Sequence, residues 1–223
     1  MYSVLLSRIE YSFDLVVDII KKEVTKDSNV LILPWTFPKE IDGQKLDNDF
    51  FKVDGKRYNR YVNEIEKLGI QRKNIFVGNC YSDSKEKIVD LLNKCDILVL
   101  PGGNPEMLYS KVVQEMELLY EIKHYKGIII GESAGCELQL KRYFITAKNN
   151  YYKYFAFYDG FGIINDPFYM DVHSINNKFY LDKLQKVADD TKKIVYAIFD
   201  DGAIIYNRKT EVIKLFGNVK TFK

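Results

Sequence analysis

Gly131-Glu132-Ser133-Ala134-Gly135 is a stretch in which residue type and spacing together specify chemistry. It follows an apolar run, Gly127 to Ile130, and precedes a segment that reads as a helix, Ala134 to about Arg142. A G-x-S-x-G pentad between a strand and a helix has the form of a nucleophile elbow. In so tight a turn, side chains on both flanks would collide, which is why glycines stand on either side. The serine then projects above the sheet edge, beside the positive N-terminus of the next helix. The plainer alternative is a Gly-rich strand-to-helix turn with a cap-like serine.

A second turn, Pro101-Gly102-Gly103-Asn104, follows another apolar run. In an open α/β sheet both turns lie at the carboxyl ends of strands, where ligands collect. The backbone N–H of Gly103 and that of Ala134, the residue after the serine, could form an oxyanion hole. Asn104 on this turn and Glu132 beside the serine are the expected substrate contacts. A serine nucleophile needs a base, and the chain has two histidines, His124 and His173. His124 lies among charged residues near the end of a helical segment and reads as a solvated helix-end residue. His173, 40 residues beyond Ser133, is the better base; the bland reading is a loop histidine with no partner. Cys136, one helical turn past Ser133, reads as a small core residue.

The elements that must carry these residues alternate between strand-like and helix-like patterns. The strand-like runs are Tyr2 to Leu6, Val30 to Leu33, Ile75 to Val77, Asp96 to Leu100 and Gly127 to Ile130. Most are apolar at every position, which marks strands covered on both faces and hence a mostly parallel sheet between helices. Helical spacing predicts Ser12 to Glu23 with Ser12 as N-cap, Arg57 to Leu68, Ser84 to Lys94, and Pro105 to about Tyr125 with proline at the first position. Pro34 to Lys56 has no period and reads as a loop folded over a site. Tyr143 to Phe157 is aromatic and irregular, and Ile175 to Asp190 reads as a helix. Ile194 to Phe199, Ala203 to Tyr206 and Val212 to Phe216 then form a terminal meander, with Asp200-Asp201-Gly202 and Asn207-Arg208-Lys209 as turns. The expected architecture is a three-layer α/β sandwich, one domain over residues 1–223.

Composition removes several classes of function. With 47% hydrophobic and 29% charged residues the chain is not disordered. A formal net charge of +2 provides no basic field to hold a nucleic acid. No run approaches the roughly 20 apolar residues of a membrane span, and the N-terminus has no signal-peptide pattern. Cys80, Cys95 and Cys136 have no metal-ligand spacing and form no disulfide framework, which points to a reducing compartment, the cytoplasm. The expectation is no metal, no cofactor, a small peptide as substrate, and a monomer or homodimer.

Strand–PGGN–helix–strand–GESAG, with a histidine about 40 residues on, resembles the aspartyl dipeptidase (dipeptidase E) and cyanophycinase-like serine peptidases. The resemblance runs from Val4-Leu5-Leu6-Ser7 to Asp201-Gly202-Ala203-Ile204. It is strongest at Gly102 to Leu108, at Gly131 to Gly135, and from Gly160-Phe161-Gly162-Ile163-Ile164 to Val172-His173. It implies a class I glutamine amidotransferase-like, flavodoxin-like fold, with Ser133 as nucleophile, His173 as general base, and Gly103 and Ala134 as oxyanion donors.

Two departures stand out. The orienting acid of dipeptidase E falls shortly after the elbow helix, where this chain has Thr146-Ala147-Lys148-Asn149-Asn150 and no carboxylate. Asp201, before Gly202 at a strand end, is the first candidate, followed by Asp171, Asp159 and Asp166. Dipeptidase E also uses an arginine after the histidine to recognise aspartate, and Asn176 to Asp190 has none; Arg142 and Lys178 are weak substitutes. A competing reading is a binding or regulatory module of the same fold with an incomplete triad. An α/β-hydrolase esterase is disfavoured, because that fold needs a later histidine near the C-terminus.

Overall fold

Eight strands form one central sheet, and the residues between its strands fold into helices on both of its faces. The computed structural model describes residues 1–41, 44–52, 55–147, 152–165 and 167–223. In chain order the strands are β1 (Tyr2–Leu6), β2 (Val30–Ile32), β3 (Glu40–Ile41), β4 (Gln44–Lys45), β5 (Ile75–Val77), β6 (Ile97–Leu100), β7 (Ile128–Glu132), β8 (Arg142–Ile145), β9 (Ala156–Asp159), β10 (Phe168–Val172), β11 (Ile194–Asn207) and β12 (Ile213–Phe222). The α-helices are α1 (Ile9–Ser12), α2 (Val17–Ile20), α3 (Lys56–Glu66), α4 (Lys85–Lys94), α5 (Pro105–Val113), α6 (Met116–Lys123), α7 (Ala134–Glu137) and α8 (Lys178–Thr191). The sheet order is β10-β11-β1-β7-β6-β2-β5, with β12 paired to β11.

From β1 across to β5 every pairing is parallel, as the fully apolar runs require. Alternate residues of each strand enter opposite cores. Leu5, Leu31, Leu98 and Ile129 pack with side chains of α4, α5, α6 and α8. Val4, Val30, Ile97 and Ile128 pack with those of α1, α2 and α3. Each such fully buried side chain contributes about 1.5–3 kcal/mol relative to exposure, so both layers are needed to hold the strand ends in place.

The long strand β11 sets the geometry of the site. Its first half runs parallel to β10, with Val172 level with Ile198, and its second half runs antiparallel to β1, with Leu6 level with Ala203. The carboxyl ends of β10 and β1 therefore meet near the middle of β11. The ladder to β12 is irregular there, between Ile198 and Gly202.

Several boundaries differ from the sequence reading. The first helix begins at Ile9 and is broken by a tighter turn at Phe13–Leu15; Ser12 donates to the Arg8 carbonyl at 2.6 Å and caps nothing. A hydroxyl bonded back to i−4 in this way competes with regular helix. The expected helix from Pro105 breaks at Gln114-Glu115 into α5 and α6. The elbow helix is one turn long, and Arg142 opens β8, which pairs antiparallel with β9 inside the segment read as irregular. In the Pro34 to Lys56 segment, the buried Leu46 and Phe50 join the same core as α3. Asp200-Asp201-Gly202 is not a turn: it lies inside β11, which replaces two of the three meander strands.

Candidate active site

Ser133 sits between β7 and α7 with φ 48° and ψ −111°, a backbone conformation that L-residues avoid. The chain holds it there through the Ser133 N–H, which donates to the Leu6 carbonyl at 2.9 Å. The flanking glycines are required by contact. A Cβ on Gly131 would lie 2.3 Å from the Gly135 carbonyl oxygen, and one on Gly135 would lie 1.9 Å from that of Leu100. Strain at one residue of a short turn thus persists because packing leaves no alternative.

His173 follows β10 and also has a left-handed backbone, φ 52°. Its Nε2 is 2.9 Å from Ser133 Oγ, and its Nδ1 is 2.6 Å from Asp200 Oδ1. A carboxylate that close requires a proton on Nδ1, which leaves the Nε2 lone pair facing the serine hydroxyl. Partial burial opposes ionisation of Asp200. The hydrogen bond and charge of His173, and the Arg8 guanidinium, outweigh it and hold this carboxyl below its ordinary range. Arg8 Nε donates to Asp200 Oδ2 at 2.9 Å. Ser7 Oγ completes the cluster by donating to Asp200 Oδ1 at 3.2 Å and accepting the His173 backbone N–H at 2.7 Å.

The carboxylate against the imidazole is therefore Asp200 and not Asp201. Successive residues of a strand point to opposite faces, and Asp201 is exposed. Asp171, two residues before His173, is buried on another side. Tyr180 Oη lies 2.8 Å from each of its oxygens, and the Thr146 and Ser174 hydroxyls also donate to it. Asp159 is an exposed residue of β9 opposite Arg142, and Asp166 lies outside the described residues, as do Lys148 to Asn150.

A cavity of about 160 Å³ opens on Ser133 and His173. Gly103, Ala134, Glu137 and Val172 border it, so both expected oxyanion donors belong to its wall. Gly103 has φ 133°, and a Cβ there would fall 2.7 Å from Thr36 Oγ1. Thr36 fixes this turn by donating its hydroxyl to the Gly102 carbonyl at 2.6 Å and accepting the Asn104 N–H at 3.0 Å. The Gly102 N–H is turned back, donating to Tyr61 Oη at 3.2 Å.

Both residues read as substrate contacts hold places in the fold's own hydrogen bonding. Asn104 caps α5, its side-chain oxygen accepting the Met107 N–H at 3.1 Å, which satisfies a first-turn donor. Glu132 is 3% exposed beneath the elbow. Its carboxylate accepts the Ile9 N–H at 3.1 Å, the Tyr61 hydroxyl and the Arg60 guanidinium. Burial and then the Glu132 charge push the Tyr61 phenol up, and Arg60 is held charged against burial by Glu10 and Glu132. A buried carboxylate needs such partners. Glu137, which does line the cavity, was not singled out in the sequence, nor were Ser7, Arg60 and Tyr61. Reading Asp200-Asp201-Gly202 as strand would have left alternation to choose Asp200.

The remaining candidates are structural or peripheral. Cys136 is fully buried, with Sγ 3.5 Å from Met170 Sδ. His124 ends α6, exposed, its Nδ1 2.8 Å from the Tyr120 carbonyl oxygen. Arg142 stands 4.6 Å over the Phe157 ring and Lys178 is an exposed residue opening α8. Among the described residues no group of three His, Cys, Asp or Glu side chains could hold a metal ion, and no helix is long and apolar enough to cross a membrane.

Solved structures share this architecture. A peptidase from an acI-B1 Actinobacterium superposes with a TM-score of 0.66 at 18% identity, covering 100% of this chain and 90% of that one. A putative peptidase E protein from Listeria monocytogenes EGD-e gives 0.60 at 19%, covering 100% of this chain and 98% of that one. Identities this low carry the fold. No curated protein matches the chain. The model of Peptidase family S51 matches residues 55–214, a span that holds the strained Ser133, His173 and Asp200. The chain belongs to Peptidase family S51.

Proposed function

We propose that this protein is a serine peptidase that hydrolyses small peptides through an acyl-enzyme on Ser133. The observation that carries this reading is the unbroken line from Ser133 Oγ through the imidazole to Asp200, with contacts of 2.9 and 2.6 Å. His173 Nε2 takes the Ser133 proton as Oγ attacks the scissile carbonyl carbon. The carbonyl oxygen becomes an oxyanion that the Gly103 and Ala134 N–H groups are disposed to receive. His173 then delivers its proton to the leaving nitrogen, and the C–N bond breaks. Water attacks the ester with His173 as base, releasing the acid and restoring the serine. Asp200 keeps Nδ1 protonated and supports the imidazolium formed in each half.

A cavity of about 160 Å³ suits a small substrate group. So small a volume supports action on the end of a short peptide, exopeptidase action. The non-catalytic module drew its support from the missing acid, and Asp200 removes that support.

A fluorophosphonate probe with mass analysis of the labelled peptide tests the reading. Modification of Ser133 in the wild type, and none in His173→Gln, is expected. A folded wild type that stays unmodified refutes the serine-nucleophile mechanism.

A further inference from the structure

The carboxyl end of β1 touches every member of the Ser133–His173–Asp200 line. The Leu6 carbonyl holds the Ser133 N–H at 2.9 Å, Ser7 Oγ holds the His173 N–H at 2.7 Å and donates to Asp200 at 3.2 Å, and Arg8 holds Asp200 at 2.9 Å. Ser7 is fully buried, so its hydroxyl has no water to satisfy it and its contacts are fixed by the fold.

We propose that Ser7 is a positioning residue for the imidazole, fixing the place of the His173 ring and orienting the Asp200 carboxylate that sets its tautomer. The inference rests on the hydrolase reading of Ser133. A hydroxyl has one proton and two lone pairs. With its proton directed to Asp200 Oδ1, Ser7 Oγ presents lone pairs to the His173 backbone N–H and to Nδ1, 3.2 Å away. It cannot then donate to Nδ1, which leaves the Nδ1 proton for Asp200 and the Nε2 lone pair for Ser133. The opposite tautomer would put a proton between Nε2 and the serine and leave no base. The bond to the backbone N–H acts at a second level, because it ties down the residue whose left-handed backbone, φ 52°, aims the ring. Through that bond Ser7 anchors the backbone of His173, and through Asp200 it anchors the Nδ1 edge of the ring.

The test combines kinetics with a probe that does not depend on turnover. In Ser7→Ala, kcat on a cleaved dipeptide should fall on the order of 10²-fold, the effect of a catalytic group displaced by about an ångström, with KM within about twofold. In protein carrying ¹⁵N-histidine, the wild-type His173 ring should show one protonated Nδ1 and one unprotonated Nε2 at neutral pH. Ser7→Ala should move the His173 Nδ1 signal, because Asp200 and the ring both lose the hydroxyl that holds them, while the signals of His124, the other histidine of the chain, stay put. Should the alanine variant not fold, Ser7→Cys fills the same space with a weak acceptor and carries the same comparison. A folded variant with kcat within twofold of wild type and unmoved His173 signals overturns the role of Ser7. A wild type that neither takes up the fluorophosphonate nor cleaves peptides overturns the hydrolase reading instead, and the ring signals still decide for or against Ser7.

Discussion

Asp200 Oδ1 and His173 Nδ1 are 2.6 Å apart, although one side chain belongs to the interior of β11 and the other to the loop leaving β10. The two strands are parallel neighbours with Val172 level with Ile198. Stepping one residue past Val172 and two past Ile198 brings the two side chains together at the ladder irregularity. Asp201, next in the chain, is carried to another face by the same alternation.

This relationship separates two aspartates that are adjacent in sequence. Asp200→Asn should lower kcat by about 10⁴-fold, because an amide can no longer hold the required tautomer or support the imidazolium. Asp201→Asn should leave kcat within about twofold. Steady-state hydrolysis of one dipeptide by both variants checks the assignment, and equal losses would contradict it.

Asp200 also ties stability to pH. Its folded-state pKa is lowered, so its contribution is fully present above the unfolded value of about 3.9 and is lost as pH falls through the lower folded value. Its side chain is 45% exposed, so solvent screening keeps the contribution modest. Denaturant unfolding between pH 5 and pH 2 should show a shallower loss of stability for Asp200→Asn than for wild type. A steeper loss would reverse the sign of the linkage.

Glu132 is expected to matter for the fold and for the shape of the Gly102-Gly103 turn. Glu132→Ala leaves Arg60 with Glu10 alone, and the Ile9 N–H and the buried Tyr61 hydroxyl without their acceptor, and should cost about 3 kcal/mol. Urea midpoints measure this directly. A variant with wild-type stability would show that water replaces the carboxylate at no cost.

The elbow glycines are predicted to be irreplaceable on steric grounds. A methyl on Gly135 would overlap the Leu100 carbonyl oxygen at 1.9 Å, and backbone cannot swing aside as a flexible side chain can. Gly135→Ala should lose at least about 2 kcal/mol and shift Ser133 off His173. Thermal unfolding and fluorophosphonate labelling should both report the change; normal values in both would count against the strained turn.

Ser133 was legible in the sequence because an elbow needs glycines at fixed offsets between a strand and a helix, a local requirement. His173 was legible through scarcity. Asp200 was not, because aspartate and glycine together signal a turn, whereas pairing of β11 with three strands, β10, β1 and β12, keeps this stretch extended. The structural parts of Glu132 and Asn104 were hidden for a related reason. Beside a reactive serine a polar residue suggests ligand contact, yet each answers a backbone demand, one beneath the elbow and one at a helix start. Ser7 carries no local signal at all, since its meaning comes from residues more than 160 positions away.

That separation governs when the protein becomes reactive. Ser7 lies 166 residues from His173 and 193 from Asp200, so the contacts that align the imidazole are among the most non-local in the chain. Such contacts form late, after the loops between them have closed. A ribosome delivers β1 and the strained serine turn well before β10 and β11 leave it, and for that interval the serine has neither base nor acid. A nascent chain, and any copy truncated before β11, therefore carries Ser133 without the carboxylate that completes its line in the folded protein. The alignment of Ser133, His173 and Asp200 is thus completed in the same step that completes the sheet.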